Sequence, residues 1–193
     1  RTGTYTWDLQ EANTTFGTAN DRWLSVEAYP GETVTLLYSR PQQNLLRLKG
    51  CRLNCVTGGS GAIYVGYNSG NIHNLVWMED CTVIHGTGRW DLSIGNAFTL
   101  STCRGYAVRC TYNDCVNGPT GVIIARDCTA DKLSENFVYQ AEAVFNCRVN
   151  DIDPADTGNH GDVWQWYLPG SDLENLMVLN LKSTRCLSQG LHF

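Results

Sequence analysis

The chain has 193 residues, 42% of them hydrophobic, with a net charge of −5 and a pI near 5.3. That length can bury one core, and no Pro-, Ser- or charge-rich linker divides it, so a single domain over residues 1–193 is expected. The acidic balance argues against nucleic acid as a partner, and no apolar run approaches the ~18 residues of a membrane-spanning helix.

In chain order, the stretch GTYTWDLQEANTTFGTANDR is polar and turn-rich and suits an initial coil over residues 1–40. Within it WLSVEAYPGETVTLL, from Trp23 to Leu37, reads as a strand, a Pro30-Gly31 turn and a second strand. Repeated coils are expected over 41–193. An eight-residue phrase recurs there: NLLRLKGC from Asn44, NLVWMEDC from Asn74, NAFTLSTC from Asn96, GVIIARDC from Gly121, QAEAVFNC from Gln140 and NLMVLNLK from Asn175. A repeat at intervals of about 20 to 50 residues signals a solenoid, propeller or array.

Aligned, the phrases alternate with period two. Their third and fifth positions are apolar, as in Leu46 and Leu48 or Val76 and Met78, and Glu142 is the exception. Such alternation predicts a strand with one face inward. The seventh position holds the turn formers Gly50, Asp80, Thr102, Asp127 and Asn146, where the chain is expected to bend. After the bend the Cys column turns inward and the next column turns outward. Asn at the head of the phrase is expected to bond its own backbone or a stacked Asn. Units of this size without helical periodicity cannot bury their apolar face alone and must stack. The expected fold is all-β, a parallel β-helix solenoid of about six to eight coils.

Nine Cys occur, an odd number that prevents complete pairing within the chain. Cys51, Cys81, Cys103, Cys128 and Cys147 fall in the interior column and are expected as a ladder of buried thiols, whereas Cys55, Cys110, Cys115 and Cys186 lie off it. The chain starts at Arg1 without Met, and a piece of a longer protein is expected, its targeting segment absent.

WLSVEAYPGETVTL followed by repeated phrases of Asn, apolar, any, apolar resembles the right-handed, single-stranded parallel β-helix proteins of the pectate-lyase-like superfamily. The resemblance covers essentially the whole chain and is specific for fold. It implies a secreted, extracellular or periplasmic protein acting on polysaccharide. The vWiDH phrase of pectate lyases is missing, as is the polygalacturonase set NTD, DD, GHG and RIK, so no catalytic residue carries over.

The longest interval between phrases, after Cys147, contains RVNDIDPADTGNHGDVWQWYLPGSDLE. Long loops on rigid scaffolds often carry function. Asp151, Asp153 and Asp156 offer hard oxygen ligands suited to Ca²⁺, and His160 with Asp162 could act as base or neutralising group. The same carboxylates could instead form a solvated acidic turn. Trp164 and Trp166, followed by Tyr167, share a face if extended: outward they would stack on sugar rings, and inward they would be core. Arg52, Arg104 and Arg148 fall in the outward column beside the Cys ladder, a strip roughly 10 Å apart that would bind acidic polysaccharide. Arg104 and Arg148 are also candidates for the base of a β-elimination.

Three functions follow. The leading expectation is a lyase on uronate polysaccharide, using Arg104, Arg148, His160 and Asp162, with Arg52, Trp164, Trp166 and Tyr167 holding substrate. The second is a glycoside hydrolase with paired carboxylates. The third is a noncatalytic β-helix that binds glycans or serves as a stalk.

Overall fold

The computed structural model describes residues 2–6, 23–37, 45–54, 75–84, 104–154, 160–166, 176–187 and 189–192. The chain opens with β1 (Gly3–Thr6), β2 (Leu24–Glu27), β3 (Val34–Leu37), β4 (Leu45–Lys49), β5 (Cys51–Asn54), β6 (Leu75–Glu79) and β7 (Thr82–Ile84). It continues through β8 (Arg104–Val108), β9 (Thr111–Cys115), β10 (Val122–Arg126), β11 (Thr129–Leu133) and β12 (Val138–Tyr139). The last strands are β13 (Ala143–Phe145), β14 (Arg148–Val149), β15 (Asp162–Gln165), β16 (Met177–Leu179), β17 (Lys182–Ser183) and β18 (Gly190–His192).

These strands form three sheets in which the pairings are parallel. The first runs β1-β3-β5-β7-β9-β11-β14-β17, the second β2-β4-β6-β8-β10-β13-β16, and the third β12-β15-β18. Each strand of the first sheet from β3 onward follows directly a strand of the second, so the chain advances by one strand spacing, about 4.8 Å, per unit. The described residues are all-β without helices, an architecture compatible with a parallel β-helix.

A left-handed residue joins the second sheet to the first. Gly50, Asp80, Arg109, Asp127, Asn146 and Asn180 occupy this corner with φ between 51° and 66°. Asp and Asn tolerate such backbone because their short side chains bond locally, and Gly has no Cβ to clash. Arg109 belongs to neither class. Its guanidinium is held by the neighbouring unit, with Nε donating to Asp80 Oδ1 at 2.7 Å and one terminal nitrogen to Glu79 Oε1 at 2.7 Å. These ion pairs hold the carboxyls of Glu79 and Asp80 below their ordinary range, Arg47 acting first on Glu79 and Arg109 first on Asp80.

The expected bend column is therefore confirmed at Gly50, Asp80, Asp127 and Asn146, while the third phrase is corrected by the register. Arg104 pairs with Leu75 and Val108 with Glu79, so RGYAVRC, not NAFTLSTC, aligns with the LVWMEDC part of the second phrase. The phrase beginning at Asn96, with Thr102 and Cys103, lies outside the described residues, as do Asn44 and Asn74. Asn stacking is seen one corner away, where Asn180 Nδ2 donates to Asn146 Oδ1 at 3.2 Å.

The core is built from in-register columns. Leu48, Met78, Ala107, Ala125 and Val144 form one, and Leu53, Val83, Tyr112, Ala130 and Val149 another, all essentially inaccessible to solvent. The fully buried Tyr112 stands in register between Val83 and the small Ala130. Burial drives its phenol well above the ordinary value.

Between these columns runs the thiol ladder, with Cys110 in the place expected for Cys103: Cys51, Cys81, Cys110, Cys128 and Cys147 are free and at most 1% exposed. Each thiol reaches a main-chain carbonyl two residues back, for example Cys128 Sγ to Arg126 O at 3.4 Å. Cys115 and Cys186 lie off this ladder as expected, in a second interior column that runs from Cys115 through Leu133 and Ile152 to Cys186, and Cys55 lies outside the described residues.

Cys51 is pushed up to about 11 by burial and by Cys81, and Cys110 up to about 12 by its hydrogen bond with Cys128 and by burial. In the unfolded chain these thiols ionise near 9.0. The folded state then binds more protons, so stability is fully present below pH ~9 and is lost as pH rises toward ~12. At pH 8 a thiol reagent is expected to label Cys110 and Cys128 on the order of 10³ times more slowly in native protein than in urea. Mass spectrometry of the labelled peptides reads this directly, and rapid native labelling would contradict the buried ladder.

Candidate functional site

Beyond the first sheet, a short corner leads from Leu133 to the third sheet. Its main chain is tied to the preceding unit, with Glu135 N donating to Val116 O at 2.9 Å and Gly118 N to Asn136 O at 3.0 Å. Buried asparagines continue the ladder where backbone partners run out. Asn117 Oδ1 accepts from Asn136 N at 2.7 Å, and Asn136 Oδ1 accepts from Asp162 N at 3.0 Å. Asn117 and Asn136 are 3% and 2% exposed, and these bonds satisfy groups whose unpaired burial would be costly.

The same asparagines face outward chemistry with their amide nitrogens. Asn117 Nδ2 donates to Glu135 Oε2 at 2.8 Å, and Asn136 Nδ2 to Gln165 Oε1 at 3.0 Å. Asn117, Glu135, Asn136, Tyr139 and Gln165 line a polar cavity of about 350 Å³. Glu135 is half-buried. Burial raises its carboxyl above the ordinary range, the Asn117 bond opposes this in part, and the charge of Asp162 adds to the rise. A carboxyl whose proton is held more tightly than usual, beside amides and near the charge of a second carboxylate, can act as a general acid.

Gly161 brings the two carboxylates into one neighbourhood. A Cβ there would lie 2.9 Å from Ile152 Cγ2 and 3.2 Å from the Glu135 carbonyl oxygen, so only glycine allows the 160–162 stretch this close to the corner. His160 is exposed at its start, and Asp162 is fully buried at its end, its carbonyl accepting from Phe137 N at 2.9 Å.

The sequence-expected residues divide accordingly. Asp162 is fully buried and its charge acts on Glu135, and the exposed His160 stands two residues before it. Trp164 is 0% exposed, which corrects the stacking role expected for it. The register of β15 against β18 shifts between Asp162 and Trp164, so Asp162, Val163 and Trp164 are buried consecutively and simple alternation fails. Trp166 is half-buried just past β15, and Tyr167 and Asp156 lie outside the described residues. Asp151 and Asp153 are half-buried, and an Arg185 guanidinium nitrogen lies 4.0 Å from Asp151 Oδ2. Among the described residues no three His, Cys, Asp or Glu side chains converge as a metal site.

The Arg strip is also corrected. The outward column reads Arg52, Thr82, Thr111, Thr129, Arg148 and Lys182, and Arg104 instead heads β8 in the second sheet. Arg52 and Arg148 are exposed four strand spacings apart, roughly 19 Å, with threonines between. Arg148 Nε donates to Asn150 Oδ1 at 2.8 Å.

Sequence reasoning passed over Asn117, Glu135, Asn136, Tyr139 and Gln165. The one available signal was spacing: Asn117 and Asn136 are 136 − 117 = 19 residues apart, the same interval as 147 − 128 = 19 for Cys128 and Cys147. No protein-family model, curated protein or solved structure matches the chain.

Proposed function

We propose that the chain is a right-handed parallel β-helix of about seven coils, akin to the pectate-lyase-like proteins, that cleaves polysaccharide at the cavity beside the third sheet. Right-handedness follows from the strong preference of parallel crossovers for that hand. The observation that carries the activity is Glu135: a half-buried carboxyl of raised pKa, hydrogen-bonded to Asn117, lining an open polar cavity next to buried Asp162. Such a group would protonate the glycosidic oxygen as the anomeric C–O bond breaks, while water adds to the anomeric carbon and gives up its proton to solvent; Gln165, Asn136 and Tyr139 line the same cavity and would bind sugar hydroxyls. A polysaccharide substrate puts the protein outside the cytoplasm.

Elimination from a uronate is the second reading, favoured by an exposed imidazole, His160, two residues before Asp162, whose charge acts on Glu135. It would use His160 as base and Arg148 or Ca²⁺ as the neutralising charge. The two reactions leave different products. Hydrolysis yields reducing ends without absorbance, and elimination yields an unsaturated, absorbing end.

Glu135→Gln keeps an acceptor for Asn117 and removes the proton. It is expected to lower turnover by about 10²–10⁴ while leaving the fold intact. Because Glu135 works protonated, activity should fall as pH rises through its raised folded pKa, above the limit set by an ordinary glutamate. Reducing-end and absorbance assays over a panel of neutral and acidic polysaccharides check this. Absence of both products with every polymer, or an unaltered Glu135→Gln enzyme, would remove the catalytic reading.

A further inference from the structure

On the outer face of the second sheet, away from the Glu135 corner, one side-chain column runs Ser25, Arg47, Trp77, Tyr106, Ile124, Ala143 and Met177 in register. Its first members form a cleft of about 540 Å³ lined by Trp23, Ser25, Arg47 and Trp77. Trp23 is 45% exposed. Trp77 packs against Tyr106 with ring centroids 5.1 Å apart at 32°, which fixes the indole in place. Its Nε1 has no hydrogen-bond partner among the described residues.

The charges around this cleft cancel. Arg47 is shared between Glu27 at 3.5 Å and Glu79 at 3.1 Å, and Lys49 and Arg109 reach the same Glu79 at 3.4 and 2.7 Å. With Asp80 bound to Arg109, three cations face three carboxylates. Among the described residues no cation of this cluster is left over to draw in a polyanion. What remains are two indole rings, one hydroxyl and planar ionic groups able to bond adjacent hydroxyls, the combination that suits the apolar C–H face and hydroxyl edge of a neutral sugar.

We propose that this cleft is a noncatalytic binding site for a neutral pyranose chain, an anchoring site separate from the Glu135 cavity. The inference rests on the carbohydrate reading above. Trp23 and Trp77 lie on units about two strand spacings, ~10 Å, apart, so alternate sugars of a chain laid across the strands can meet each ring.

The test titrates the full chain with short neutral oligosaccharides and with oligogalacturonate by calorimetry, using wild type, Trp77→Ala, Trp23→Ala and Glu135→Gln. Trp23 is exposed, so its variant keeps the fold if Trp77→Ala does not. Neutral oligosaccharides are expected to bind wild type and Glu135→Gln alike and to bind each Trp variant about tenfold more weakly. Trp variants that bind neutral oligosaccharides like wild type, or Trp substitutions that weaken oligogalacturonate binding more than neutral binding, overturn the cleft while leaving the cavity's activity standing. No binding by any neutral ligand overturns it as well, and the proposed function falls with it only if turnover is also absent.

Discussion

Trp164→Ala is expected to lower the unfolding free energy by about 3–5 kcal/mol, the range for truncating a large buried aromatic. The indole is completely buried, sits in β15 between Val138 of β12 and Leu191 of β18, and belongs to the same core cluster as Ile152 and Phe137. Parallel stacking makes the loss hard to absorb. Neighbouring units are held by main-chain bonds at their own spacing, so the strands above and below cannot close on the cavity. Urea unfolding of the variant should shift its midpoint with little change in slope. Leu187→Ala, at a residue 69% exposed, serves as the contrast and should cost less than about 0.5 kcal/mol. A loss below about 1 kcal/mol for Trp164→Ala would mean that this residue does not anchor the third sheet.

Gly118→Ala should damage both the fold and the site. A Cβ at residue 118 would stand 2.2 Å from the carbonyl oxygen of Phe137, and that obstacle is backbone. It cannot retreat, because Phe137 N is bonded to Asp162 O and Gly118 N to Asn136 O. Relief therefore requires moving the corner that carries Asn117, Glu135 and Asn136. A cost of about 1–3 kcal/mol is expected, as for other overpacked sites, together with loss of the Glu135-dependent turnover in the surviving folded protein. Gly31→Ala separates crowding from backbone strain. Gly31 has φ of +82° and nothing within 4 Å of an added Cβ, so its variant tests the left-handed penalty alone and should leave turnover unchanged. Equal effects of the two substitutions on activity would contradict the close approach at Gly118.

How far the chain could be read before folding is clearest at Arg104. NAFTLSTC carries the Asn, the apolar pair and the Cys of the phrase, whereas RGYAVRC offers Gly105 and Ala107 at its inward positions and Arg109 at its bend. Small inward residues look unpromising in isolation, yet Ala107 is fully buried in register between Met78 and Ala125. Arg109 is equally unpromising as a left-handed residue until Glu79 and Asp80 of the neighbouring unit are beside it. Trp164 failed for a related reason, a register shift that no period-two pattern announces.

The parallel all-β architecture, the inward apolar columns, most of the bend positions and four of the five ladder thiols were legible in the chain, because each depends on alternation and spacing within a single unit. The position of the candidate site was not. Glu135 meets Asn117 across 18 residues, Asn136 meets Gln165 across 29, and Trp77 meets Arg47 across a full unit. Those neighbours are set by which units stack and in what register. That information lies in hydrogen bonds between strands, and only the folded chain contains it.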